Sequence, residues 1–241
     1  MVSKKLVVVT GASSGIGEKV ARQFSAAGHP LLLLSRRLER MQALELPETL
    51  CRKVDVTQRD QLLAAVKEAE ELYGPVDCLV NNAGLMQLGS AHEQDTAQWD
   101  AMIDVNLKGL LYGIHAVVGS MRARKSGTII NVSSVAGIKG FPNHMAYCGT
   151  KFGVHGLSET LREEVADDNV RVIVVAPGAV ETELLGHTTK EEIIAGYEGW
   201  KDSIGGALAA QDIADCVHFA YKLPQNVCVR ELVVAATRQQ P

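Results

Sequence analysis

The chain has 241 residues, 46% of them apolar and 22% charged, with a net charge of −4. That length suits one large α/β domain or two small ones and buries enough apolar surface to need no metal or disulfide staple. The acidic balance and the lack of a basic block argue against nucleic acid as a partner.

The opening, MVSKKLVVVTG, carries two lysines and a short apolar run that leads into a glycine turn. A signal peptide needs a longer apolar stretch and a small-residue cleavage site, so LVVVT (6–10) reads as a first strand. Its β-branched residues show no polar alternation, which suits a central parallel strand covered on both faces. A helix is expected over about 15–27, ended by Gly28, and a second apolar strand over LLLLS (31–35). A helical stretch at 37–45 precedes a weaker strand, CRKVDV (51–56). Thr57 is a candidate cap for a helix over 58–73 that Gly74-Pro75 stops. VDCLV (76–80), TIINVS (128–133), VRVIVVA (170–176) and ELVVA (231–235) repeat the strand theme. Helical patterns at 96–124, 145–167 and 210–222 lie between them. Alternating strands and helices mean βαβ units and a parallel sheet. The segment 183–208 fits no strand and reads as a long polar loop, functional or disordered. No apolar stretch approaches the ~18 residues of a membrane span, so no membrane partner and a cytoplasmic location are expected.

The five cysteines, Cys51, Cys78, Cys148, Cys216 and Cys228, are odd in number, with no CxxC pair and no Cys/His cluster at ligand spacing. They read as reduced thiols, Cys78 and Cys228 in the core, and no metal site is expected.

Directly after the first strand comes TGASSGIG, with Gly11, Gly15 and Gly17 and, between them, Ser13, Ser14 and Ile16. A strand, a glycine turn and a helix N-terminus form a diphosphate cradle: the backbone comes close, and free N–H groups with the helix dipole hold negative charge. An acidic residue at the end of the second strand would bond a ribose 2′-OH; here stand Ser35, Arg36 and Arg37. Arginine pairs with phosphate, so the reading is NADP(H), through its 2′-phosphate. Tyr147 and Lys151 are four apart on one helix face. A phenol of ordinary pKa about 10 is a poor base near neutrality, and a positive neighbour lowers that pKa.

These residues resemble the short-chain dehydrogenases/reductases, over nearly the whole chain. The motifs occur in order: TGASSGIG at 10–17, DV at 55–56, NNAG at 81–84, Asn106 within VNLKG, NVSS at 131–134, YCGTK at 147–151 and PGAVET at 177–182. The SRRLER stretch looks like the NADP-preferring branch, and the C-terminal part is similar to serine 3-dehydrogenases and 3-hydroxy acid dehydrogenases. The resemblance implies one Rossmann-type domain over 1–241, a doubly wound parallel sheet of order 3-2-1-4-5-6-7 with helices on both faces. It implies Ser134, Tyr147 and Lys151 as catalytic residues, and Asn106 holding a water that links Lys151 to solvent. Tyr147 and Lys151 would also bind the cofactor, with Lys151 holding the nicotinamide ribose. Asp55 and Val56 would flank the adenine, and Asn82, Ala83 and Gly84 would pass beneath the cofactor. Pro177, Gly178, Val180 and Thr182 would contact the nicotinamide end.

A substrate pocket is expected from Ser134, Met86, Val135, Phe141, Pro142, His144 and Gly178, with 183–208 as a lid and Trp200 a candidate to close it. The implied activity is NADP(H)-dependent interconversion of a secondary alcohol and a carbonyl, on β-hydroxy acids or other small hydroxy compounds. A reductase of 3-oxoacyl or cyclic, apolar carbonyl substrates, or a non-catalytic NADP-binding sensor, are the alternatives. Family members are commonly tetramers, so a homotetramer, or a homodimer, is expected.

Overall fold

In the computed structural model, which describes residues 5–240, the apolar runs become strands whose alternate residues face two separate cores. Leu6 and Val8 of β1 (Leu6–Thr10) join Leu32 and Leu34 of β2 (Leu31–Ser35) on one face. Val7, Val9, Leu31 and Leu33 point to the other. Such strands have no solvent side, which is why they show no polar alternation. The sheet continues with β3 (Thr49–Lys53), β4 (Val76–Asn81), β5 (Gly127–Val132), β6 (Val170–Pro177) and β7 (Glu231–Val234). Its order is β3-β2-β1-β4-β5-β6-β7, every pair parallel, as the resemblance implied.

On the second face lie α1 (Gly15–Ala26), α2 (Leu38–Gln42) and α8 (Ala210–Lys222). On the first lie α3 (Arg59–Tyr73), α5 (Gly109–Arg124) and α6 (Met145–Val165). Gly28, at φ +82°, ends α1: its N–H bonds Ser25 O at 2.8 Å and the His29 N–H bonds Phe24 O at 3.1 Å. That paired closure satisfies two orphan carbonyls and needs a left-handed residue. Arg171, buried in β6, donates to Tyr221 O at 2.8 Å and Leu223 O at 2.9 Å, satisfying carbonyls at the end of α8.

Several expectations need correction. β3 begins at Thr49 and ends before Asp55, because its register on β2 pairs Leu31 with Thr49 and Ser35 with Lys53. Thr57 does not cap α3; Gln58 is the cap residue, and the Thr57 hydroxyl donates to Asp55 Oδ1 at 2.8 Å. Cys228 is only partly buried, at the edge of the core. The expected helix 96–124 is α4 (Thr96–Ile103), a π-helical turn (Asp104–Lys108) and α5 in one run. At 29 residues and mean hydropathy 1.2 over its most apolar window, that run meets the length and composition of a membrane span, as apolar core helices also do. In the fold it packs on the sheet through Leu110, Ile114, Val117 and Met121. The segment 183–208 is largely helical, with a 3₁₀ turn (Glu183–His187) and α7 (Glu191–Ser203). Its apolar residues Leu184, Leu185, Ile193 and Tyr197 pack on a small cluster that includes Tyr147, and this packing orders it.

Candidate active site

The strand order reverses between β1 and β4, and the crevice beyond the strands' C-terminal ends is where open α/β sheets bind ligands. A cavity of about 1130 Å³ opens there. Every site residue expected from the sequence lines it except Gly17 and Asn106, which stand one layer behind.

The glycine loop needs its glycines. Gly11 and Gly15 have φ of +66° and +54°, in the left-handed region. A Cβ on Gly17 would lie 2.4 Å from Gly11 O and 2.5 Å from Asn82 Nδ2. Asn82 braces the loop, donating from Nδ2 to Thr10 O at 3.0 Å and Gly11 O at 3.3 Å. No side chain caps the N-terminus of α1, so its first N–H groups stay available to an anion. The loop therefore fits a diphosphate.

At the end of β2, Ser35 donates to Ser13 Oγ at 2.8 Å. Arg37 donates from Nε to Ser13 Oγ at 3.1 Å and from Nη2 to Ser14 Oγ at 2.7 Å. Its Nη1 meets Glu183 Oε2 at 2.6 Å, and Arg40 Nη1 meets Glu183 Oε1 at 2.7 Å. Arg36 is exposed on the cavity wall. This hydroxyl and guanidinium nest suits a phosphate ester rather than a bare ribose. Asp55 Oδ1 accepts from the Thr57 N–H at 3.0 Å, which turns the chain so that Asp55 and Val56 form the wall beside the nest.

Ser134 follows β5 directly. Its Oγ accepts from the Ala136 N–H at 3.1 Å, while Ser133 points away and donates to Lys151 O at 3.3 Å. Tyr147 and Lys151 are both buried on α6. Lys151 Nζ donates to Val132 O at 3.0 Å and lies 5.7 Å from the centre of the Tyr147 ring. Burial pushes the Tyr147 phenol well above its ordinary pKa; a hydrogen bond with Ser134 opposes this only in part. The ammonium is aimed at a backbone carbonyl, not at the phenol oxygen, so the acidification expected from the four-residue spacing does not arise among these groups. Burial thus favours the protonated phenol.

Burial also lowers Lys151, from 10.5 to about 8. Between those values the unfolded chain holds a proton the folded chain has lost, so stability rises with pH across that window. Lys151 should therefore add up to about 3 kcal/mol of stability to the cofactor-free protein from pH 8 to 10.5, a rising slope set against the falling one of the Cys51, Cys78 and Cys216 thiols, which burial raises. Lys151→Met should remove the rising slope from the pH profile of the thermal midpoint; an unchanged profile would contradict the burial effect.

Asn106 sits in the π-helical turn, a feature often found at functional sites. The turn aims its amide at the loop after β4: Oδ1 accepts from the Leu85 N–H at 2.8 Å, and Nδ2 donates to Leu85 O at 2.9 Å and Thr150 Oγ1 at 3.0 Å. The side chain is thus committed to bracing. A Cβ placed on Gly84 would lie 3.6 Å from Asn106 Oδ1 and 3.9 Å from Lys151 Nζ, so the two groups flank one narrow space.

The far end of the cavity is apolar and aromatic. Met86, Leu88, Phe141, Leu185, Tyr197 and Trp200 line it with His144. His144 Nδ1 donates to Pro142 O at 2.6 Å, and burial lowers its pKa, so the ring is neutral with its proton on Nδ1. The cations on the cavity wall are Arg36, Arg37, Lys151 and Lys201. Lys201 is held by Glu181 at 3.0 Å and Glu198 at 2.6 Å.

Sequence reading missed four contributors. Gln239 Oε1 accepts from the Ala179 N–H at 3.0 Å, and its amide fills the space beside Gly178. Thr188 Oγ1 accepts from the Leu88 N–H at 3.1 Å, tying the segment after β6 to the pocket. Arg40 and Glu183 complete the contact with Arg37. Arg40 lies in the SRRLER stretch, and Glu183 and Thr188 lie in the expected lid, without these contacts being readable there; Gln239 reads as an ordinary polar residue that only the fold brings to the cavity.

Comparison with known proteins gives a consistent set of likenesses. Residues 5–193 match the family described as short chain dehydrogenase. An uncharacterised oxidoreductase of Staphylococcus saprophyticus is 38% identical, over 99% of this chain and 98% of its own. The closed form of serine dehydrogenase complexed with NADP+ superposes with TM-score 0.91 at 32% identity, covering 98% of this chain and 96% of that one. An alcohol dehydrogenase from the archaeon Thermococcus sibiricus, complexed with 5-hydroxy-NADP, gives 0.86 at 30% identity over 99% of both chains.

Proposed function

The chain belongs to the short-chain dehydrogenase family, and from that premise we propose that it interconverts a secondary alcohol and a carbonyl with NADP(H), using Tyr147 as the acid and base. The convergence of Ser134, Tyr147 and Lys151 beside the glycine cradle carries this reading. The cofactor supplies or takes up the hydride. Residues of the Gly11–Gly17 loop and the first N–H groups of α1 would hold its diphosphate, and Ser13, Ser35, Arg36 and Arg37 would face the 2′-phosphate. Ser134 orients the substrate oxygen by hydrogen bonding. Tyr147, protonated by burial, donates to a carbonyl oxygen as it gains charge. In the reverse direction the phenol needs a positive charge beside it to serve as base, and Lys151 next to an oxidised nicotinamide provides that field.

The pocket favours an apolar or cyclic carbonyl over a β-hydroxy acid. Its substrate end is lined by aromatic and aliphatic side chains, and Lys201 is already neutralised by two carboxylates. A bound carboxylate would lose its hydration without gaining a partner. The relatives include a serine dehydrogenase, so the two classes are worth comparing directly. With NADPH, an apolar cyclic ketone should show kcat/KM at least about tenfold above a short 3-oxo acid, given ~0.8 kcal/mol for each buried methylene. A preference for the oxo acid would return the assignment to hydroxy acids.

The segment 183–208 acts as the lid, because α7 carries Ile193, Tyr197 and Trp200 over the pocket. Exposed Ile103, Leu111 and Phe152, on α4, α5 and α6, are the apolar face on which we place subunit contacts of a homotetramer or homodimer.

A further inference from the structure

We propose that Glu183 is an internal competitor for the 2′-phosphate: its carboxylate occupies the arginine site that a 2′-phosphorylated nucleotide must take. This rests on the NADP(H) reading given above. Glu183 uses both carboxylate oxygens, one on Arg37 and one on Arg40, at 2.6 and 2.7 Å. The same Arg37 is fixed by Ser13 and Ser14 of the glycine loop, so its guanidinium belongs to the cofactor cradle. It cannot keep a carboxylate on Nη1 and also turn its fork to a phosphate without rearranging.

The pairing also crosses the cradle. Glu183 comes 146 residues after Arg37 in the chain and directly follows Thr182, whose methyl would lie 3.0 Å from a Cβ on Gly15. A second cleft, of about 900 Å³, shares Ser13, Ser14, Gly15 and Glu183 with the first and holds Arg40, so the Arg37–Glu183–Arg40 contact bridges the two. Glu183 is also the first residue of the turn that leads into α7. Seating the 2′-phosphate therefore frees the root of the segment that covers the substrate pocket. A phosphate ester carries more charge than a carboxylate and offers more acceptor oxygens, so it wins the arginines when it arrives. The two arginines hold the Glu183 carboxyl down to about 2, which means that working pH leaves the competitor charged. All three side chains are about half exposed, so the contact contributes little to stability and acts on selectivity instead.

The test compares adenosine 2′,5′-bisphosphate with adenosine 5′-monophosphate, probes that differ only in the 2′-phosphate, by calorimetric titration of the full chain. Glu183→Gln should tighten the bisphosphate by ~3–10-fold, as expected for losing two exposed charge contacts, and leave the monophosphate unchanged. In the unaltered protein the bisphosphate, and not the monophosphate, should speed hydrogen exchange over residues 183–187. Tightening of both probes equally, or of neither, while the unaltered protein prefers the bisphosphate, overturns the competitor and leaves the NADP(H) reading standing. No preference for the bisphosphate in the unaltered protein overturns the NADP(H) reading and the competitor with it.

Discussion

Tyr147→Phe should lower kcat by about 10²–10⁴-fold, the usual weight of a positioned general acid, while NADPH affinity stays within ~3-fold. The ring is buried against the cluster that includes Met86, Leu88 and Cys148, and phenylalanine fills the same space. What leaves is the hydroxyl that burial keeps protonated and that Ser134 faces. The cofactor cradle is built on Gly11–Gly17, Ser35 and Arg37, away from that hydroxyl, so binding and turnover separate. Stopped-flow oxidation of NADPH with a reactive ketone, together with a fluorescence titration, reads both. Turnover within tenfold of the unaltered protein would remove Tyr147 from the proton path.

Gly17→Ala should weaken NADPH by at least ~100-fold and cost about 1–3 kcal/mol of stability, the range for overpacking a close contact. The added methyl would sit 2.4 Å from Gly11 O and 2.5 Å from Asn82 Nδ2. Neither neighbour can yield cheaply: one is backbone, and the other holds Thr10 and Gly11 carbonyls. α1 must then withdraw from the loop, and its N-terminus leaves the diphosphate position. Gly119→Ala on α5 is the control, since a Cβ there meets nothing within 4 Å. Near-normal NADPH affinity in Gly17→Ala would show that the loop tolerates the helix shifting.

The sheet was legible because each central strand is buried on both faces and so spells a continuous apolar run, as LLLLS (31–35) does. The cradle was legible because its chemistry is local, a strand, a glycine turn and a helix start within a dozen residues. Tyr147 and Lys151 share one helix face, so their meeting needed only the helical period. β3 was read late because its weak apolar content hides the register that pairing with β2 imposes. α7 was read as loop because its apolar stripe is short, only partly buried and interrupted by glycines, and packing of Ile193 and Tyr197 against Tyr147's cluster supplies what propensity lacks. The π-helical turn was not read because its five residues are too few to establish a period of their own within a longer helical pattern. Gln239 and Glu183 reach the site only through long-range folding. The electrostatics of Tyr147 went the other way from the sequence expectation for a similar reason: spacing gives proximity to Lys151, but burial and the direction of the Lys151 Nζ bond decide the pKa.

The most direct measurement follows the hydride itself. NADPH carrying deuterium at the transferable position of the nicotinamide is incubated with the protein and an apolar cyclic ketone, and the alcohol is examined by mass spectrometry. One deuterium on the former carbonyl carbon, formed by the unaltered protein and reduced to a trace with Tyr147→Phe, is the predicted result. Tight NADPH binding with no deuterated alcohol from any carbonyl offered, or equal labelling by both proteins, would contradict a Tyr147-driven reductase.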